Sequence, residues 1–275
     1  MVNFFSPKET LDNYINSSER RINNRKRNLF LLAVFAGMFI GFGAAGSSLA
    51  VHNISEVGIS RLVAGMVFPV GLMMVILTGA ELVTGDCMFV MGACKKHYTF
   101  GKMIKVLLLI YAGNLTGGIL LAAIIYYSGQ FDYSAGMLGA YTIKVAAGKV
   151  ALPFAKALLL GVLCNVLVCI AVFMAGCSKD IIGKLFCFFF PILLFVICGF
   201  EHCVANMYYI PAGILATGNE TYVMAAIQQY GVLPAQIENL TWLHFFTRNL
   251  LPVTIGNIIG GVGFFSLPML YIYRD

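Results

Sequence analysis

The sequence predicts an all-α polytopic membrane protein, with six transmembrane helices arranged as two inverted three-helix repeats and with the second and fifth helices interrupted. Three observations predict it. The 275 residues are 60% hydrophobic and 11% charged, with a mean hydropathy of +0.86, whereas soluble domains carry roughly 25% charge. The apolar residues gather into six segments, each near the ~20 residues that cross a bilayer. Motifs in the second and third segments return in the fifth and sixth.

Residues 1–28 read as an N-terminal arm, with SSERRINNRKR as an amphipathic interfacial segment. The arm lacks a short apolar region with a small-residue cleavage site, so no signal peptide is expected. Residues 29–275 read as one six-span domain, with repeats at about 29–127 and 152–273. The first span is about Leu29 to Val51. The second, about Leu62 to Met91, is too long and is broken by GAELVTGD. The third runs about Met103 to Tyr127 and the fourth about Leu152 to Ala175. The fifth, about Leu185 to Leu215, is broken again, and the sixth is about Leu250 to Tyr273.

Loop lysines and arginines set orientation. With the N-terminus inside, 13 of the 18 basic residues fall on the inner side, Arg21 and Arg274 among them. Only Arg61, Lys144, Lys149, Lys156 and Arg248 fall outside. Both termini are therefore expected in the cytoplasm and the chain in the plasma (inner) membrane. The net charge of +6 is a topology signal and not a nucleic-acid patch. Most of the eight cysteines lie in apolar segments without paired spacing, where free thiols act as small hydrophobes.

The repeat is specific. Phe68-Pro69 precedes Gly79-Ala80-Glu81, as Phe190-Pro191 precedes Gly199-Phe200-Glu201. GNLTGG at 113–118 matches GNIIGG at 256–261. Matched pairs lie three spans apart, an odd number, so the halves must be inverted. Inverted repeats with broken helices mark transporters and channels, with the site where the breaks meet.

At the fifth-span break Glu201 and His202 stand together, and each polar group inside a span costs about 2–4 kcal/mol on insertion scales. Gly199 and Pro211 bracket the break. Histidine, with a reference pKa of about 6.5, can offer a proton or a positive field. A lone histidine on an apolar face is ordinarily a satisfied core residue; here the break and the repeat favour a functional one. Neighbours on a helix do not face each other, so Glu201 is expected to turn away, toward backbone or another subunit. In the second break, Thr84 is placed to hydrogen-bond His202, Leu82 and Val83 to form an apolar gate, and Asp86 to cap the helix resuming at Cys87. Phe68 and Phe195 are further constriction candidates. Lys149 reads by itself as a lysine snorkelling to headgroups. Asn165 either lines the path or bonds across helices.

GFEHCVANMYYIPAG, GAELVTGD, GNLTGG and NLLPVTIGNIIGG together resemble the formate/nitrite transporter family, over nearly the whole chain. The resemblance implies an aquaporin-like inverted repeat, assembled as a homopentamer with one pore per subunit. It makes His202 the central histidine, Thr84 its partner, and Lys149 an anion attractor at the outer vestibule. It places the constriction at Leu72, Leu82, Phe68 and Phe195, and pore asparagines at Asn165 and Asn206. Val83 stands where many formate channels have an aromatic, and the GAELVTG loop is similar to that of the hydrosulfide branch.

The expected function is a passive or proton-coupled pore for small monovalent anions of weak acids (hydrosulfide, formate, nitrite), leaning to hydrosulfide. No cofactor and no enzymatic activity are expected. An aquaporin-like channel for neutral solutes is the alternative, without paired N-P-A motifs to support it. A membrane enzyme using His202, His52, His97 and His244 is a second, against which those histidines are scattered without metal-site spacing.

Overall fold

Backbone in hydrocarbon must satisfy its own polar groups, so each apolar run closes into helix. The computed structural model describes residues 3–273; Arg274 lies outside them. The arm holds α1 (Pro7–Ile22), started by a reciprocal capping box between Ser6 and Glu9. The Ser6 backbone N–H, and then its hydroxyl, hold the Glu9 carboxyl below its ordinary value. The spans are α2 (Lys26–Val51), α3 (Val57–Thr78), α5 (Phe100–Tyr127), α7 (Phe154–Cys177), α8 (Ile181–Cys198) and α12 (Trp242–Ile272). Two short apolar helices, α4 (Val83–Cys94) and α9 (Cys203–Ala216), continue the second and fifth spans beyond their breaks. Three elements that apolar runs did not announce are α6 (Met137–Val150), α10 (Glu220–Tyr230) and α11 (Pro234–Glu238).

The two breaks have one backbone geometry. Gly79 ends α3 at φ 71° and Gly199 ends α8 at φ 70°, left-handed values that favour glycine. Three residues on, Leu82 and His202 are extended, at φ −114°, ψ 113° and φ −113°, ψ 116°, and the next helix begins. Pro211 is not part of the break; it lies inside α9, and Gly199 alone ends the helix.

SSERRINNRKR is not one interfacial segment. It is split by a turn between α1 and α2, and α1 buries Leu11, Ile15 and Ile22 against the protein. Its apolar face is too well matched by α4, α5 and α7 to be left for lipid. Within α12 two stretches, Phe245–Leu250 and Ile259–Ser266, widen to π-type turns. Pro252 and Pro268 follow them, and a proline cannot donate the next helical hydrogen bond.

The repeats pack alike: α2 runs along α5, and α7 along α12. Close approach is made by the motif glycines, where a Cβ on Gly117 would lie 2.0 Å from the Val34 carbonyl oxygen and one on Gly260 2.2 Å from that of Val162. Neither neighbour can yield, since both are backbone. Replacing Gly117 or Gly260 by Leu is therefore expected to abolish folding or assembly, read as loss of the native peak in gel filtration. A wild-type elution profile for both variants would contradict the equivalence of the two motifs.

Candidate functional site

The breaks stop short of exposing backbone because one asparagine from each GNxxGG motif closes them. Asn114 on α5 donates to the carbonyls of Ala33 (2.8 Å) and Glu81 (2.9 Å) and accepts from the Val83 N–H (3.0 Å). Asn257 on α12 donates to Gly161 (2.8 Å) and Glu201 (3.0 Å) and accepts from the Cys203 N–H (2.9 Å). The Glu81 and Glu201 N–H groups bond Leu32 and Leu160 carbonyls, 3.3 Å each. Sequence reading saw these motifs only as glycine contacts; their shared asparagine beside a break needing donors and an acceptor was the missed signal.

Both break carboxylates are buried and paired. Glu201 accepts from Lys149 Nζ at 2.8 Å, from Asn206 Nδ2 at 2.7 Å and from Asn249 Nδ2 at 3.4 Å. The expectation that Glu201 turns away to backbone or another subunit is thus corrected: its partners are side chains of its own chain. Lys149, in the last turn of α6, is held there rather than reaching to headgroups, and its charge is matched by Glu201. On the opposite side Glu81 and Asp86 both bond Arg21 of α1, with Arg21 Nε 3.0 and 3.1 Å from the Glu81 oxygens. The Arg21 guanidinium also lies 4.8 Å over the Phe89 ring. Asp86 makes no capping bond to α4: one of its oxygens meets Arg21 and the other, Oδ2, is buried without a hydrogen-bond partner among the described residues. Arg21 was counted only as a topology charge, although two acids in one membrane break demand a cation.

His202 is buried, and Thr84 Oγ1 lies 2.9 Å from its Nε2. Its Nδ1 accepts the Ala205 N–H at 3.1 Å, which caps α9. A backbone N–H can only donate, so Nδ1 carries no proton in this arrangement and Nε2–H donates to Thr84. A cavity of about 540 Å³ on the Lys149 side ends at Phe68, Phe195 and His202. Beyond those three lies an apolar gap of about 10 Å³, walled also by Leu72, Leu82, Ile40, Val168 and Ile192. Phe68 and Phe195 meet edge to face at 5.4 Å. Ile40, Val168 and Ile192 were missed, being indistinguishable by sequence from ordinary core residues.

The remaining candidates divide. Asn206 lines the larger cavity while donating to Glu201 and Asn249. Asn165 is fully buried, donating to the carbonyls of Thr84 (3.2 Å) and Asn257 (2.7 Å), so it bonds across helices. Val83 does not border the gap that Leu82 borders; its backbone N–H serves Asn114. His52, His97 and His244 bond Ser134, Glu19 and the Asn239 carbonyl at separate places.

Comparison with known proteins gives one answer. A family model described as formate/nitrite transporter matches residues 8–271. The chain is 36% identical to the formate channel FocA of Haemophilus influenzae, over 93% of this chain and 90% of that one. It is also 36% identical to a probable formate transporter of Methanothermobacter thermautotrophicus, over 89% and 88%. A solved structure described as a pentameric formate channel with formate bound superposes with a TM-score of 0.80 at 30% identity, covering 91% of this chain and 98% of that one. An ion channel of the same family gives 0.78 at 26% identity, over 97% and 98%.

The Arg21 cluster has an energetic consequence. Arg21→Met leaves two buried carboxylates without their cation, and breaking such a pair costs about 3–5 kcal/mol. Thermal unfolding in detergent should show a marked loss, partly recovered in Arg21→Met/Glu81→Gln. An unchanged midpoint in the single variant would show that α1 is not tied to the break through this charge.

Proposed function

The chain belongs to the formate/nitrite transporter family, and on that premise we propose that it is a membrane channel for small monovalent anions of weak acids. The observation that carries the reading is the meeting of a buried His202–Thr84 pair with the Phe68–Phe195 constriction, all from one chain. A bare anion moved into an apolar gap faces a desolvation penalty of order 20 kcal/mol in the idealised limit. A hydrogen bond from His202 Nε2–H, or from the Thr84 hydroxyl in its place, offsets part of it. A proton taken up from solvent in the larger cavity, and not from His202, whose Nδ1 carries none, would remove it, since the neutral acid has no charge to desolvate. The polar pair thus stands where an anion must lose water or charge.

Formate is the first substrate to test, because the relatives compared above are named for it. Hydrosulfide is the second reading, favoured by the similarity of the GAELVTG loop to that of the hydrosulfide branch and not by Val83 itself, which lies off the gap. We place the chain in the plasma membrane with α1 and both termini cytoplasmic, and the larger cavity outside. Transport without catalysis is part of the proposal. So is a homopentamer, supported by the likeness to a pentameric channel and by the broad apolar outer faces of the spans.

Two outcomes test this. Asparagine is a good helix N-cap, so His202→Asn should keep the cap on Ala205 and assemble normally. In liposomes given formate, nitrite and hydrosulfide in parallel, it should show altered flux of all three, because the Nε2–H that meets Thr84 is gone. Thr84→Val should disturb flux more mildly, losing only the orienting bond. Wild-type flux of all three anions in His202→Asn would make His202 structural. For assembly, oligomers mixed from active and dead subunits should lose flux in proportion to the dead fraction; an all-or-none loss would mean a shared central pore.

A further inference from the structure

The three basic side chains lining the outer cavity are not equivalent. Lys149 is 2.8 Å from Glu201, the one acidic residue among those lining the cavity, so that pair adds little net field. Lys144 Nζ sits 5.4 Å and 5.0 Å from the centres of the Tyr141 and Tyr230 rings. Arg61, near the start of α3, lays its guanidinium against the break itself. A Cβ built on Gly199 would lie 2.8 Å from Arg61 Nη1 and 3.4 Å from its Cζ and Nη2. Among the described residues no carboxylate lies within ion-pair distance of Arg61 or Lys144. The matching position at the other break, Gly79, has nothing within 4 Å. The arrangement therefore belongs to one side of the protein only. Gly199 has two reasons to be glycine: its left-handed φ, and the guanidinium resting on it.

We propose that Arg61 is the docking residue of the outer cavity, its planar fork taking both oxygens of a carboxylate-like oxyanion beside the Gly199 break. The inference rests on the anion-channel reading and narrows it. The cavity's uncompensated positive charge comes from Arg61 and Lys144, and Lys149 serves chiefly to hold Glu201. A guanidinium offers two parallel N–H groups to a planar oxyanion, whereas an ammonium acts as a point charge. Hydrosulfide has a single sulfur and no oxygen, so it cannot span the fork and responds to charge alone. Arg61 thus favours formate and nitrite over hydrosulfide at the mouth. Lys144, screened by its two rings, contributes field without geometry.

The test is initial flux into liposomes against external concentration of formate, nitrite and hydrosulfide, for wild type, Arg61→Lys and Arg61→Gln, each first checked for wild-type elution. Arg61→Gln should raise the half-saturation concentration of formate and nitrite about tenfold, as expected for one lost charged hydrogen bond, and that of hydrosulfide clearly less. Arg61→Lys should restore hydrosulfide while leaving formate and nitrite raised. Lys144→Gln, farther from the break, should raise all three alike. Unchanged half-saturation for formate and nitrite in Arg61→Gln would overturn the assignment. So would equal rises for all three anions that Arg61→Lys fully reverses, because the fork would then do nothing. If wild type passes none of the three anions, the channel reading itself fails, and the docking role with it.

Discussion

Everything in this protein depends on making a gap in a membrane helix without leaving backbone groups bare. Water is absent there, and an unpaired N–H or C=O costs several kcal/mol. Asn114 and Asn257 meet the need with the same three bonds each, two given to carbonyls and one taken from the N–H that restarts the chain. Each asparagine sits on a helix brought close by motif glycines, so close packing and satisfied backbone are one arrangement. Remove the approach and the amide no longer reaches.

Upon that frame the side chains are disposed economically. Each break carries one glutamate, and each glutamate meets a cation from elsewhere in the chain. His202 uses one nitrogen to cap α9 and the other to meet Thr84. Both ring nitrogens are therefore committed, at the boundary between the large cavity and the dry gap. Phe68, Phe195 and His202 border both spaces, so shape and polarity change at the same place.

Much of this was legible beforehand, for physical reasons. Six spans follow from hydropathy and length, and the breaks from glycine and acid where lipid tolerates neither. The juxtaposition of Thr84 with His202 followed from inversion alone. What escaped depended on side-chain reach across the fold. Arg21 looked like a surface charge because its partners lie 60 and 65 residues away. Glu201 was misread because facing rules hold within a helix, and Glu201 lies in the extended stretch between two. Helix α6 went unseen because its composition is mixed, and Lys149 looked isolated in consequence. Arg61 drew no notice because an arginine near a helix end is ordinary until its neighbour is known.

The two ion pairs also redraw the unit that is repeated. Arg21 stands near the end of α1, five residues before α2 begins, and Lys149 stands near the end of α6, five residues before α7. Each triplet of spans is thus preceded by a helix that delivers the counter-ion for that triplet's own break. The heritable module is four parts, not three: a polar leader helix and the spans it neutralises. Each copy supplies its own cation, one guanidinium shared by two carboxyls in the first and one ammonium for one carboxylate in the second. A duplication of such a module brings a cation for the second break with it, and no later change elsewhere in the chain is needed to supply one. The N-terminal arm is then no appendage to the membrane domain but the first quarter of its first half.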